Sequence, residues 1–128
     1  MGKETDKELL YPELSYDIVG CAQRVHTTLG PGFPEAVYEK ALCIELSRKG
    51  IAFLCQKRGE VAYEGMICGE FRMDIVVNEQ IVLELKAMEA INHLHMAQAL
   101  SYLKATGLKL AIIINFGEER LKTQRVVL

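Results

Sequence analysis

The 128 residues predict an α/β fold in which helices flank a mixed β-sheet, with elements in the order α-α-β-β-β-α-β-β. Three observations carry that expectation. Two stretches with helical apolar spacing come first, and three extended segments follow them. A further helical stretch then separates the third extended segment from a fourth. That fourth segment, around Ala111-Ile112-Ile113-Ile114, is apolar on both faces and therefore needs cover on each side of a sheet.

The first helix is expected over Tyr16 to Leu29, where Ile18, Cys21, Ala22, Val25 and Leu29 recur at helical spacing. Gly30-Pro31-Gly32 ends it, because Pro31 cannot continue the hydrogen-bond ladder. Pro34 suits the first turn of a second helix, with Glu35 at the positive end of its dipole and Gly50 as its stop. Ile51 to Tyr63 is extended, Glu64-Gly65 is a turn, and Met66 to Val77 is a second strand in which Gly69 marks a bulge or a close approach. Asn78-Glu79-Gln80 turns the chain into the strand Ile81 to Lys86. Asn92 caps a third helix that ends at Gly107, and the crossover from Ala87 to Leu108 joins parallel neighbours. Leu108 to Asn115 is a central strand and Thr123 to Leu128 an edge. Residues 1–13 read as a flexible leader and 14–128 as a single domain.

Composition excludes several classes of function. Net charge is −2, so no global basic field draws in a polyanion, although Lys57-Arg58 with Arg72 forms a local basic candidate. No apolar run approaches the ~20 residues of a membrane span, and no apolar secretory core appears at the start. Cys21, Cys43, Cys55 and Cys68 lack C-x-x-C spacing and paired histidines, which argues against zinc. Cys21 and Cys43 fit apolar helix positions, and a reducing, cytoplasmic setting is expected.

The chemistry concentrates on the second hairpin. Centring its turn on Glu79 sets Val77 opposite Ile81, Ile75 opposite Leu83 and Asp74 opposite Glu84. Asp74, Val76, Val82, Glu84 and Lys86 then share one face, with Met73, Ile75, Leu83 and Leu85 on the other. Carboxylates directly across a ladder repel. The arrangement is tolerable if the pair is solvated, if one carboxyl holds a proton, or if a cation sits between them. Mg²⁺ suits one or two carboxylates plus waters and phosphate oxygens. A merely solvated face fits poorly with Val76 and Val82 on it. Glu35 from the second helix, and Gln98 with Tyr102 four residues later on the third, are candidates to complete a metal-and-phosphate site. A helix-start glutamate is also an ordinary dipole partner, and a helix glutamine is ordinarily solvated.

Gly32-Phe33-Pro34-Glu35-Ala36-Val37-Tyr38 resembles the motif of the GxxExxY protein family, within the PD-(D/E)XK nuclease superfamily of restriction-endonuclease-like fold. The similarity extends to Val25-His26, Phe71-Arg72-Met73-Asp74, Glu84-Leu85-Lys86-Ala87, Gln98 to Leu103 and Ile114-Asn115-Phe116-Gly117, nearly the whole chain. The resemblance implies that Asp74, Glu84 and the Leu85 carbonyl bind Mg²⁺, with Mn²⁺ as a substitute. It implies that Glu35 completes the metal shell, that Lys86 orients or activates water, and that Gln98 and Tyr102 touch the phosphate backbone or support the lysine. It offers His26 as a histidine ahead of the glutamate, whereas the residues read as a buried or helix-capping histidine. His93 and His95 match no motif. The implied activity is hydrolysis of phosphodiester bonds in nucleic acid, DNA in preference to RNA. Separately, the edges that an α/β sheet of this size leaves uncovered make self-association as a homodimer an expectation. The alternative is a silent nuclease-fold binding module, or a subunit of a larger nucleic-acid-processing assembly.

Overall fold

A computed structural model describes residues 10–128. Helix α1 spans Pro12–Leu29 and α2 spans Glu35–Arg48. Strands β1 (Phe53–Tyr63), β2 (Met66–Val77) and β3 (Ile81–Lys86) follow, then α3 (His93–Thr106), β4 (Leu110–Asn115) and β5 (Lys122–Val127). The first helix starts four residues before the expected Tyr16. Pro12 and Glu13 are therefore helical rather than part of a leader, because proline at the first helical position has its φ preset and lacks only an N–H that would be unpaired there. The rest of the expected leader, residues 1–9, lies outside the described residues. Among those residues no helix is long and apolar enough to cross a membrane.

The strands lie in sheet order β1-β2-β3-β4-β5. Only β3 and β4 are parallel, joined through α3, so the sheet is mixed as expected. Val77 faces Ile81 and Ile75 faces Leu83, the register that the Glu79-centred turn requires. The core has two layers. Ile18, Cys21, Tyr38, Leu42, Ile75, Leu83, Leu85, Ile112 and Ile114 pack under α1 and α2. Val76, Val82, Ala99, Leu103, Ala111 and Ile113 pack under α3. β4 is buried along its whole length because it feeds both layers.

Met73 departs from the expected face. It packs under α3 with Val76 and Val82, not under α1 and α2 with Ile75. Strict alternation therefore slips at Asp74, whose neighbour across the ladder, Gln56, has φ +53° and interrupts the β1–β2 pairing. Beyond that point β1 and β2 continue as a two-stranded arm, bulged where Val61 meets Gly69 and Ala62 meets Ile67. The basic candidate on this arm is diluted: Arg58 and Arg72 face each other, and Arg58 reaches the Glu70 carboxylate at 3.6 Å.

Two clamps hold the segments that border the lower end of β3. The fully buried Tyr38 hydroxyl donates to the Gly30 carbonyl (2.5 Å) and accepts from the Phe33 N–H (3.1 Å), while its ring stacks on Phe116. The Gly30-to-Phe33 turn needs φ +69° and +116° at its glycines, and Tyr38 fixes where that turn delivers Glu35. On the other side, Asn115 is fully buried. Its Oδ1 accepts from Met88 and Gly117 N–H groups (both 3.1 Å), and its Nδ2 donates to the Met88 carbonyl (3.0 Å) and to Glu118 (2.9 Å). A Cβ on Gly117 would lie 2.2 Å from the Met88 nitrogen, so only glycine lets the two chains approach. Asn92 caps α3 through a reciprocal pairing with His95, which gives that histidine its role.

Removing the Asn115 side chain strands buried main-chain groups of the segment that follows Lys86. Asn115→Ala is expected to lower the unfolding free energy by about 3 kcal/mol, measured by urea denaturation. Gln23→Ala, on the exposed face of α1, is the control, with a loss of at most ~0.5 kcal/mol.

Candidate active site

β3 and β2 remain paired only as far as Leu83 and Ile75. One step further the strands diverge, and carboxylates replace the missing ladder. The Asp74 N–H donates to Glu84 Oε2 (3.1 Å), and the Leu85 N–H donates to Asp74 Oδ2 (2.8 Å). Each acid is thus fixed by the main chain of the opposite strand, and the two carboxyls are held side by side. Among the described residues the other oxygen of each has no hydrogen-bond partner, and it is not sealed from solvent.

Glu84 is only 5% exposed. Burial, with the nearby Asp74 carboxylate second, pushes its pKa up to about 8. The Asp74 N–H and Lys86 pull it down, and Glu35 adds to the rise. No arginine neutralises the pair: the ion pairs among the described residues (Arg24 and Arg48 to Glu45, Lys49 to Asp17, Arg58 to Glu70) all lie elsewhere. Half-buried Lys86 is the adjacent cation, without an ion-pair partner among the described residues.

The expected site residues fall into three groups. Asp74, Glu84 and Leu85 are in direct contact, with Lys86 beside them. Glu35, exposed in the first turn of α2, and Tyr102 of α3 are near enough for their electrostatics to couple to the acids. Burial raises the Tyr102 pKa, helped by Glu84 and Asp74, and the ring stacks on Phe71 at 4.3 Å. Gln98 is exposed one turn earlier on α3 and makes no hydrogen bond to any of them. His26 lies apart: buried beside Phe116, its Nε2 donates to the Glu118 carbonyl (2.8 Å), as a buried structural histidine does.

Sequence reasoning missed Glu39 and Gln56. Glu39 lies four residues after Glu35, on the same helix face. Its pKa is raised, by burial first, and it accepts a hydrogen bond from Gln56 Nε2 (2.9 Å) while feeling Asp74 and Glu35. The i,i+4 spacing was the available signal. Gln56, paired across 17 residues, had none.

The donor set suits a hard divalent ion: two carboxylate oxygens that are open to solvent and lack hydrogen-bond partners among the described residues, with an adjoining main chain. It is not a closed cage. Among the described residues no three His, Cys, Asp or Glu side chains converge closely enough to hold an ion alone.

The raised Glu84 pKa makes the metal-free fold pH-dependent. Between about pH 4.5 and 8 the folded state binds more protons than the unfolded chain, so stability falls as pH rises through that window. In chelator-treated protein the melting temperature is expected to drop from pH 5 to pH 8. Glu84→Gln, which keeps the neutral shape, should flatten that slope and be the more stable form at pH 8. A wild-type profile as flat as the variant's would show that Glu84 ionises normally.

The family model described as the PD-(D/E)XK nuclease superfamily matches residues 12–126. No curated protein and no solved structure matches the chain. Nucleases of this superfamily generally use divalent metal ions. With a mixed five-stranded sheet between helices and Asp74, Glu84 and Lys86 gathered at one strand end, the chain belongs to the PD-(D/E)XK nuclease superfamily.

Proposed function

We propose that the protein is a Mg²⁺-dependent nuclease of the GxxExxY type that hydrolyses phosphodiester bonds, in DNA in preference to RNA. The observation that carries this is the reciprocal fixing of Asp74 and Glu84, each with an oxygen left without a partner among the described residues, and with Lys86 nearby. Asp74, Glu84 and the Leu85 carbonyl would hold Mg²⁺, for which Mn²⁺ substitutes, and Glu35 would complete the shell through water. The bound ion supplies charge neutralisation at the scissile phosphate and a more acidic water.

The chain's own groups do the remaining work. Lys86 donates to the attacking water or to a phosphate oxygen and, half-buried beside the strand end, holds that water in line. Its main chain is fixed for the task, since its carbonyl accepts from the Phe116 N–H (2.8 Å). The Tyr102 hydroxyl, kept protonated by burial and by the nearby Glu84 and Asp74, donates to a backbone phosphate. Gln98 extends that contact one helical turn along the strand.

A silent binding module remains the second reading, favoured by the absence of a three-carboxylate cage among the described residues. Metal titration separates the two. A working site is stabilised by millimolar Mg²⁺ or Mn²⁺ through mass action, and Asp74→Asn reduces that gain.

The decisive experiment is a cleavage panel on single- and double-stranded DNA and RNA with Mg²⁺ or Mn²⁺. Lys86→Ala should lower the rate by at least ~10²-fold with metal-dependent stabilisation retained, whereas Asp74→Asn should abolish cleavage and reduce the stabilisation. Full metal-dependent cleavage by both variants would end the proposal.

A further inference from the structure

Two rungs join α2 to β1 beside the acidic site. Glu39 accepts from Gln56, and one helical turn later the Cys43 sulfur lies 2.9 Å from the Cys55 sulfur. The residues of both rungs line one open groove of about 870 Å³, with Ala36 and Ile44 as its apolar floor. Cys55 is exposed and Cys43 half-buried, while all four cysteines are free thiols. Cys21 is sealed in the core, and Cys68 sits on the arm with its thiol near the Met66 carbonyl (3.6 Å). Of the four sulfurs only Cys43 and Cys55 are in contact, and closing to a bond of ~2.05 Å requires an approach of roughly 0.9 Å.

We propose that Cys43 and Cys55 are a reversible thiol–disulfide pair, closed when a hydroperoxide enters the groove between α2 and β1. The Cys55 sulfur attacks a peroxide oxygen, the O–O bond breaks, and an alcohol or water leaves with the proton. Cys55 is then a sulfenic acid, oxidised by two electrons. The Cys43 sulfur attacks it, the S–O bond breaks, and hydroxide departs as water with the Cys43 proton. A dithiol reductant restores both thiols by exchange and itself becomes the disulfide. Cys43 is the slower member, because burial, with Cys55 beside it, pushes its pKa up to about 12. The closed form ties α2 to β1 one turn from Glu39, whose carboxylate feels Asp74.

The test treats the full chain with equimolar hydrogen peroxide, blocks remaining thiols by alkylation, and maps tryptic peptides without reduction. Each cysteine falls in a separate peptide, with Cys43 in residues 41–48 and Cys55 in residues 50–57. These two peptides should appear joined and Cys21 and Cys68 alkylated. The melting temperature should rise by about 5–10 °C and return after a dithiol reductant. Cys43→Ser should lose the link and the rise, leaving a Cys55 sulfenic acid that a dimedone probe traps, with its reduced-state melting temperature close to wild type. The proposal is overturned if Cys55 links to Cys68, bridges two chains, or over-oxidises in the wild type with no Cys43 link.

Discussion

The site depends on one exchange of hydrogen bonds. Where β2 and β3 part, the Asp74 and Leu85 N–H groups lose their ladder partners, and each finds a carboxylate from the opposite strand. Leaving such donors unpaired in a buried strand end costs about 1–3 kcal/mol each, so the acids plug a structural gap. Bringing them together also costs, since Glu84 is buried against a like charge. Proton uptake relieves that cost in the metal-free protein. The same two side chains therefore hold the strand end together and form the place where charge is least satisfied. Truncating either one confounds structure with chemistry, and isosteric amides separate them better.

The rest of the architecture positions what surrounds that strand end. Asn115 and Gly117 lock the segment leaving Lys86 against the end of β4. Tyr38 locks the turn that delivers Glu35. The two clamps meet through Phe116, which stacks on Tyr38 and follows Asn115. A motif tyrosine beside a candidate catalytic glutamate thus acts on a main-chain carbonyl, by fixing where α2 begins. The parallel pairing of β3 with β4 sets Lys86 level with Asn115, so both segments leave the same edge of the sheet.

What was legible followed from short-range regularities. A three-residue turn sets hairpin register, and register set Asp74 opposite Glu84. Helix punctuation by Gly30, Asn92 and Gly107 placed the helix ends within a residue or two. What escaped depended on contacts distant in sequence. Met73 changes face because Gln56, on a neighbouring strand, adopts a left-handed conformation. Nothing in Phe71-Arg72-Met73-Asp74 announces that slip. Glu39 joins the acidic group only because the fold brings Gln56 and Asp74 beside it. Cys43 fitted an apolar stripe, and only the fold sets it against Cys55.

The electrostatics of the assembled site constrain any anionic ligand. Asp74, Glu84, Glu35 and Glu39 influence one another, and Lys86 is the cation among them. With net charge −2, and Arg58 engaged by Glu70, the described surface offers little basic guidance toward a phosphate backbone. A phosphodiester approaching this group of acids, with one ammonium among them, is repelled unless positive charge arrives with it. On the proposed reading the divalent ion is therefore a condition for binding as well as for chemistry. The raised Glu84 pKa expresses the same excess of negative charge, with a proton standing where the cation would be.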